Sequence, residues 1–318
     1  MTVLNKIESK DFNLSDNEII ELLNINNHSD EFYRLLAVSN KLSREKFGKK
    51  GYVFAQLGIN AEPCSKNCRF CSLGIEHYSI TDQWKKSLVD IKLEVEKLNQ
   101  YNINDFFMMC TADYSFDDFI RIGKEVKKLL KPEQKFVANV GDFDLEMGLQ
   151  LKEAGFTGVY HINRLREGID TLIDVKTREN TLQAAQEAKL EIYYCIEPIG
   201  PEHSYDEILT EIKRAKDLKI EVMAVMRRIP VPGTPLFDSG KITATELTKI
   251  AAVTNIVVQP SRSMNAHEPI QMSLLAGINQ LYAELGANPR DTVNETSSNR
   301  GFTPNMAWDM LSEANYEF

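Results

Sequence analysis

The stretch Cys64-Ser-Lys-Asn-Cys68-Arg-Phe-Cys71-Ser-Leu-Gly74 places three of the chain's five cysteines within eight residues, spaced C-x3-C-x2-C. Thiolates bind soft metals and iron–sulfur clusters. Three of them in one tight loop can hold three irons of a [4Fe–4S] cube and leave the fourth open to a substrate or cofactor. A structural zinc site wants four closed ligands, and near these cysteines only His77 offers a fourth. Unliganded buried thiols are not normally so bunched. The spacing favours a cluster loop.

Outward from the loop, short apolar runs alternate with helical stretches. A strand over 52–60 leads directly into it. Further strands are expected at 106–110, 135–140, 158–162, 191–196 and 220–227, with a weaker one in 256–265 and a last near 280–284. Between them lie helical signals. Trp84, Leu88, Ile91, Val95 and Leu98 recur at helical spacing. Other helices open near Ser115, cover about 180–188, begin at the capping box Ser204-Tyr-Asp-Glu207, and open at Thr243. Eight strand–helix units predict an α/β fold, a (β/α)8 TIM-type barrel. Residues 1–50 read as an N-terminal helical extension, with a capping box at Ser15-Asp-Asn-Glu18 and a second helix near 30–46. The expected organisation is the extension (1–50), the barrel (51–293), and a C-terminal loop and helix capping one barrel mouth (294–318). Asn288-Pro-Arg-Asp291 and Asn299-Arg-Gly301 read as turns, with Arg290 placed at the mouth.

Composition sets the setting. With 318 residues, 43% hydrophobic and 26% charged, the chain can bury a large core. A net charge of −9 argues against a general nucleic-acid binder, and no basic run suggests a membrane surface. The first residues lack the apolar core of a signal peptide, and no window approaches a membrane span. Five cysteines with three clustered fit a reducing cytoplasm. Exposed cluster thiolates oxidise in air, so the expected setting is anaerobic.

Barrels place chemistry in the loops after their strands. The cluster loop follows the first strand, so the polar residues that follow other strands are its expected neighbours. These are Asp113, Asn139, Asn163, Glu167, Glu197, Arg227, Arg228 and His267.

The cluster loop, with Phe70 just before its last cysteine, resembles that of radical S-adenosylmethionine (SAM) enzymes. The whole chain is similar to their biotin synthase-like branch, which holds biotin synthase, methylornithine synthase, a hydrogenase maturase and lipoyl-type sulfur inserters. The resemblance implies a [4Fe–4S] cluster on Cys64, Cys68 and Cys71, with SAM on the open iron. It implies a 5′-deoxyadenosyl radical that activates an unactivated C–H bond. Thr111-Ala112-Asp113 stands where the family receives the SAM amino group, and Asp113 would do so; the competing reading is a turn aspartate in solvent. Tyr160-His-Ile-Asn-Arg-Leu-Arg-Glu167 resembles the stretch that binds the ribose and methionyl ends, which points to Asn163, Arg166 and Glu167, with Arg178 as a further carboxylate partner. A solvated helix start is the alternative there. Cys195-Ile-Glu-Pro-Ile-Gly200 resembles the Gly-rich stretch along the adenosine, where Gly200 would allow close approach. The loop at Arg227-Arg228 offers two rigid forks for a carboxylate or phosphate.

Biotin synthases also bind a sacrificial [2Fe–2S] cluster through cysteines on the second, third and fifth strands. Here Cys110 and Cys195 fall near two of these positions, each one residue out of step, and the third strand has none. An offset of one turns a side chain to the other face unless a bulge restores it. The two thiols either form a second iron–sulfur site, with His161 or His267, or pack as small hydrophobes. For the reaction, the resemblance favours carbon–sulfur bond formation. The rival is a rearrangement or lyase reaction on an amino-acid-like substrate, and outside catalysis stands an iron–sulfur carrier. The implied partners are a small anionic substrate or lipoyl-type carrier protein and a flavodoxin- or ferredoxin-type reductant.

Overall fold

The computed structural model describes residues 2–80, 84–267, 270–284 and 302–318. Three helices come first: α1 (Val3–Glu8), α2 (Asp16–Leu23) and α3 (Asp30–Phe47). Then strands and helices alternate: β1 (Tyr52–Gly58), α4 (Leu88–Leu98), β2 (Asp105–Met109), α5 (Phe116–Lys127), β3 (Lys135–Asn139), α6 (Leu145–Glu153), β4 (Gly158–Tyr160), α7 (Val175–Glu187), β5 (Glu191–Ile199), α8 (Tyr205–Leu218), β6 (Val222–Arg227), α9 (Ala244–Val258), β7 (Ser263–His267) and β8 (Gln280–Glu284). A short 3-10 turn at Gln271–Ala276 and α10 (Pro304–Glu313) complete the described chain. The eight strands close into one barrel in sequence order, every neighbouring pair parallel. This is the expected (β/α)8 fold with its helical extension.

Side-chain caps set most helix starts. Ser15, Ser87, Ser115, Asp144, Asp174, Ser204 and Thr243 each accept a backbone N–H three residues on. At Ser15 and Ser204 the reciprocal glutamate bond completes the capping box. The strand expected within 256–265 is displaced. Ile256–Val258 end α9, Gln259 caps it in the left-handed conformation, and β7 begins at Ser263. Every residue from Leu247 to Val257 is buried, so α9 has no polar face to display a helical period, and its apolar end reads as a strand. The helix expected over 180–188 starts earlier, at Val175, where Asp174 caps it. Trp84 lies ahead of α4 in an extended segment, its carbonyl accepting from the Ala61 N–H.

The barrel floor is an ionic plug. Arg262, ahead of β7, grips fully buried Asp105 with two nitrogens at 2.6 and 2.7 Å, and Gln280 donates to the same carboxylate at 2.6 Å. Above it the rings of Phe54, Phe107, Tyr160, His267 and Tyr282 touch one another, with centroids 4.5 to 5.9 Å apart. The space left for chemistry therefore lies toward the carboxyl ends of the strands. α10 packs on β8 and β1, and Trp308 donates to the Asn102 carbonyl just ahead of β2. The terminal helix thus covers strand amino ends, opposite the cluster loop. Arg290 and the turns at 288–291 and 299–301 lie outside the described residues.

Candidate functional site

β1 delivers the chain into a loop that is tied at many points. The Cys64 N–H donates to the Leu73 carbonyl at 2.7 Å, and the Ile75 N–H to the Cys64 carbonyl at 3.1 Å. Asp113 accepts from the Ser65 N–H and hydroxyl, at 2.5 and 2.7 Å. Arg69 pairs with buried Asp170 at 3.0 Å, and the Leu172 N–H donates to the Lys66 carbonyl. The expected SAM partner Asp113 is thus committed to holding the cluster loop. His77, the one local candidate for a fourth zinc ligand, has its Nε2 engaged 2.7 Å from the Cys71 carbonyl.

The three thiols of the loop are half-buried and free of disulfides. Burial pushes the Cys68 thiol up to about 12, with Arg164 partly opposing and the neighbouring Cys71 and Cys64 adding to it. Such a thiol becomes a thiolate when a metal takes the proton's place.

These cysteines share a cavity of about 200 Å³ with residues from across the barrel. Of the residues expected beside the cluster, Phe70, Cys110, Asn139, Arg178, Glu197, Arg228 and His267 line it. The others stand behind the wall. Buried Glu167 accepts from Thr171, from the Arg164 N–H at 3.0 Å and from Arg178 at 3.3 Å. Arg166 bonds Glu207 and the Glu202 carbonyl. Arg227 turns to the Ile242 carbonyl, and Asn163 is buried with its Oδ1 unbonded. A Cβ on Gly200 would meet the Arg228 guanidinium at 2.5 Å, so this glycine makes room for an arginine. Arg228 itself clamps Glu202 and the Gly240 carbonyl. The Arg228 fork is therefore spent within the protein, while Arg227 stands outside the cavity lining with its Nε buried and unbonded.

The sequence reading missed Gln56, Gly141, Tyr160 and Arg164, all of which line the cavity. Gln56 left a readable trace, as the one polar residue in an apolar strand. Gly141 is needed because a Cβ there would meet the Ala112 carbonyl oxygen at 2.5 Å. Arg164 lies one position from a residue that was singled out, and only the loop's path decides which of Asn163, Arg164 and Arg166 faces inward.

Arg178 is the centre of a buried network. Its Nη1 lies 3.0 Å from Asp142, which in turn lies 3.2 Å from His161 Nε2. Burial drives His161 down from its ordinary 6.5 to about 4, against the pull of the Asp142 hydrogen bond. Burial would raise Asp142, but the His161 bond and the Arg178 charge outweigh it and hold the carboxyl at about 2. The unfolded chain therefore takes up a proton at this histidine first. Stability from His161 is full above pH 6.5 and is lost as pH falls toward 4. The loss is expected to reach about 3 kcal/mol. Anaerobic urea unfolding between pH 7 and 4 measures it, and His161→Asn should make that slope shallower.

Cys195 is buried on β5 against the Tyr160 hydroxyl and the Glu197 carboxylate, and it does not line the cavity. Cys110 does line it, with Sγ 3.9 Å from the Asn139 carbonyl. β3 carries no cysteine.

No model of a known protein family matches the chain. Among curated proteins, biotin synthase of Acetivibrio thermocellus is 24% identical over 240 residues, covering 71% of this chain and 72% of that protein. Biotin synthase of Ehrlichia canis is 26% identical over 284 residues, covering 83% and 85%. Among solved structures, methylornithine synthase (PylB) superposes with a TM-score of 0.85 at 16% identity, covering 99% of this chain and 96% of that one. The [FeFe]-hydrogenase maturase HydG of Carboxydothermus hydrogenoformans gives 0.81 at 18% identity, covering 99% and 77%. These structures share the barrel fold. With the cluster loop at the mouth of that barrel, the chain is a radical SAM enzyme. Its likeness runs to the biotin synthase-like branch of that superfamily. Membership implies a [4Fe–4S] cluster and SAM, and the donor set Cys64, Cys68 and Cys71 fits the former. Among the described residues, no helix is long and apolar enough to cross a membrane.

Proposed function

We propose that the protein activates an unactivated C–H bond of a small substrate held inside the barrel, in a rearrangement or lyase reaction on an amino-acid-like molecule. The observation that carries this is the continuity of the cavity. It joins the three cysteines to Gln56, Asn139, Tyr160, Glu197 and His267, so a cluster and a polar substrate would meet in one space. Bound together, the cluster and SAM would supply the 5′-deoxyadenosyl radical, and the protein supplies binding and orientation. Cys64, Cys68 and Cys71 hold the cluster in this reading. Arg164 offers a cation to the SAM carboxylate, and Phe70, Ile162, Ile229 and Val231 exclude water from the reacting atoms. A reductant of the flavodoxin or ferredoxin type provides the electron.

Carbon–sulfur bond formation is the second reading, favoured by the biotin synthase relatives. It requires a sulfur source. Cys195 is turned to Tyr160 and Glu197, and β3 supplies no third thiol, so a barrel-bound sacrificial cluster has a poor donor set. Iron counting with Mössbauer spectroscopy after anaerobic reconstitution separates the readings. We expect about four irons per chain, the content of one cube, both in the wild type and in Cys110→Ala/Cys195→Ala. A clear excess over four that the double variant removes would restore the sulfur-inserting reading.

A further inference from the structure

The charged groups lining the cavity are unequal in their commitments. Arg178 is neutralised by Glu167 and Asp142, and Arg228 by Glu202. Lys66 sits on the cluster loop at the mouth. Glu197 is the one acidic side chain among the described lining residues, and it is buried to 9% exposure. Its Oε2 accepts from the Tyr160 hydroxyl at 2.8 Å. Its Oε1 faces Arg164 Nε at 3.5 Å, a pairing of charges without a hydrogen bond, and that Nε is buried with no partner at all. Buried charges are ordinarily both paired and hydrogen-bonded, so this open pair is costly as it stands. Arg164 also faces the other way. It lies close enough to Cys68 to draw the thiol's proton affinity down. An anion arriving on the cluster side would engage Arg164 and draw its charge away from the Glu197 carboxylate.

We propose that Glu197, held by Tyr160, is the recognition site for a cationic amine on the substrate. The inference rests on the proposed radical reaction at this cavity and adds the charge class of the molecule that undergoes it. A primary ammonium at Glu197 Oε1 completes a charge-assisted hydrogen bond in a low-dielectric pocket. Asn139 lines the same space and offers an amide group to the remaining polar atoms of a small amine or amino acid. A carboxylate at the same place would face Glu197 and lose about as much as the amine gains.

The test uses the anaerobically reconstituted holoenzyme with SAM and measures binding by equilibrium dialysis. The probes are short-chain primary amines, diamino acids, their N-acetyl derivatives and the matching monocarboxylates. Compounds with a free ammonium should bind, N-acetylation should weaken them about tenfold or more, and the monocarboxylates should not bind. Glu197→Gln should abolish this preference and Glu197→Asp should restore part of it. Monocarboxylates binding as well as amines, no amine binding at all, or an unchanged preference in a folded Glu197→Gln holoenzyme would overturn the proposal. If that variant fails to hold its cluster, the wild-type comparison of amines with their N-acetyl derivatives still decides. Wild-type SAM cleavage without added substrate is followed separately by release of 5′-deoxyadenosine. Its absence would sink the radical reaction itself, whatever the amines do.

Discussion

Cys64→Ala, Cys68→Ala and Cys71→Ala are each expected to abolish reductive SAM cleavage. Each removes one of three thiolates from a cube that has no spare ligand nearby. His77 is occupied with the Cys71 carbonyl, and Asp113 with Ser65. Cys110 lines the same cavity, but it follows β2 instead of belonging to the loop, and its thiol faces the Asn139 carbonyl at 3.9 Å. Rescue by Cys110 is therefore not expected. The measurement is 5′-deoxyadenosine formed with dithionite, together with iron per chain. The iron content should fall in step with activity, while far-ultraviolet circular dichroism stays close to wild type. A variant lacking all three cysteines that still cleaved SAM would be incompatible with the cluster loop.

Arg178→Met is expected to destabilise the fold by about 3–5 kcal/mol, the range for breaking a buried ion pair from one side. The side chain is 7% exposed and joins Glu167 on the β4–α7 connection to Asp142 after β3. Its loss leaves Glu167, at 1% side-chain exposure, without its cation. The double variant Glu167→Gln/Arg178→Met should be less destabilised than the sum of the two single changes, because neither partner is then left charged and alone. Anaerobic urea denaturation of all four proteins gives the coupling energy. Additive effects would mean that the network contributes nothing beyond its separate members.

The cluster loop and the fold class were legible because both rest on local patterns. A C-x3-C-x2-C spacing points to metal or cluster binding within eight residues of chain. Alternating apolar runs and capped helices, from Ser87 to Thr243, mark each barrel unit within about thirty residues. Patterning failed where burial erased it. α9 is enclosed by α3, β6 and the Gln271–Ala276 turn, so it shows no polar face, and its last residues look like a strand.

The site was only partly legible, for a different reason. Sequence places Asp113, Arg166, Glu167 and Gly200 after barrel strands, and that is correct as far as it goes. It does not say which oxygen is already taken. Asp113 belongs to Ser65, Arg166 to Glu207, and the space beside Gly200 to Arg228. The pairings behind Glu197 and Arg164 likewise come from β4 and β5 lying side by side, 33 residues apart in the chain. By itself, then, the sequence determined the barrel and the end of it to which the cysteine loop is delivered, since these follow from short-range spacing and strand order. Which charges remain available to a ligand was decided only by the closed barrel. Hydrogen bonds and ion pairs between distant loops consume some of them, while Arg164 Nε stays without a hydrogen bond beside Glu197.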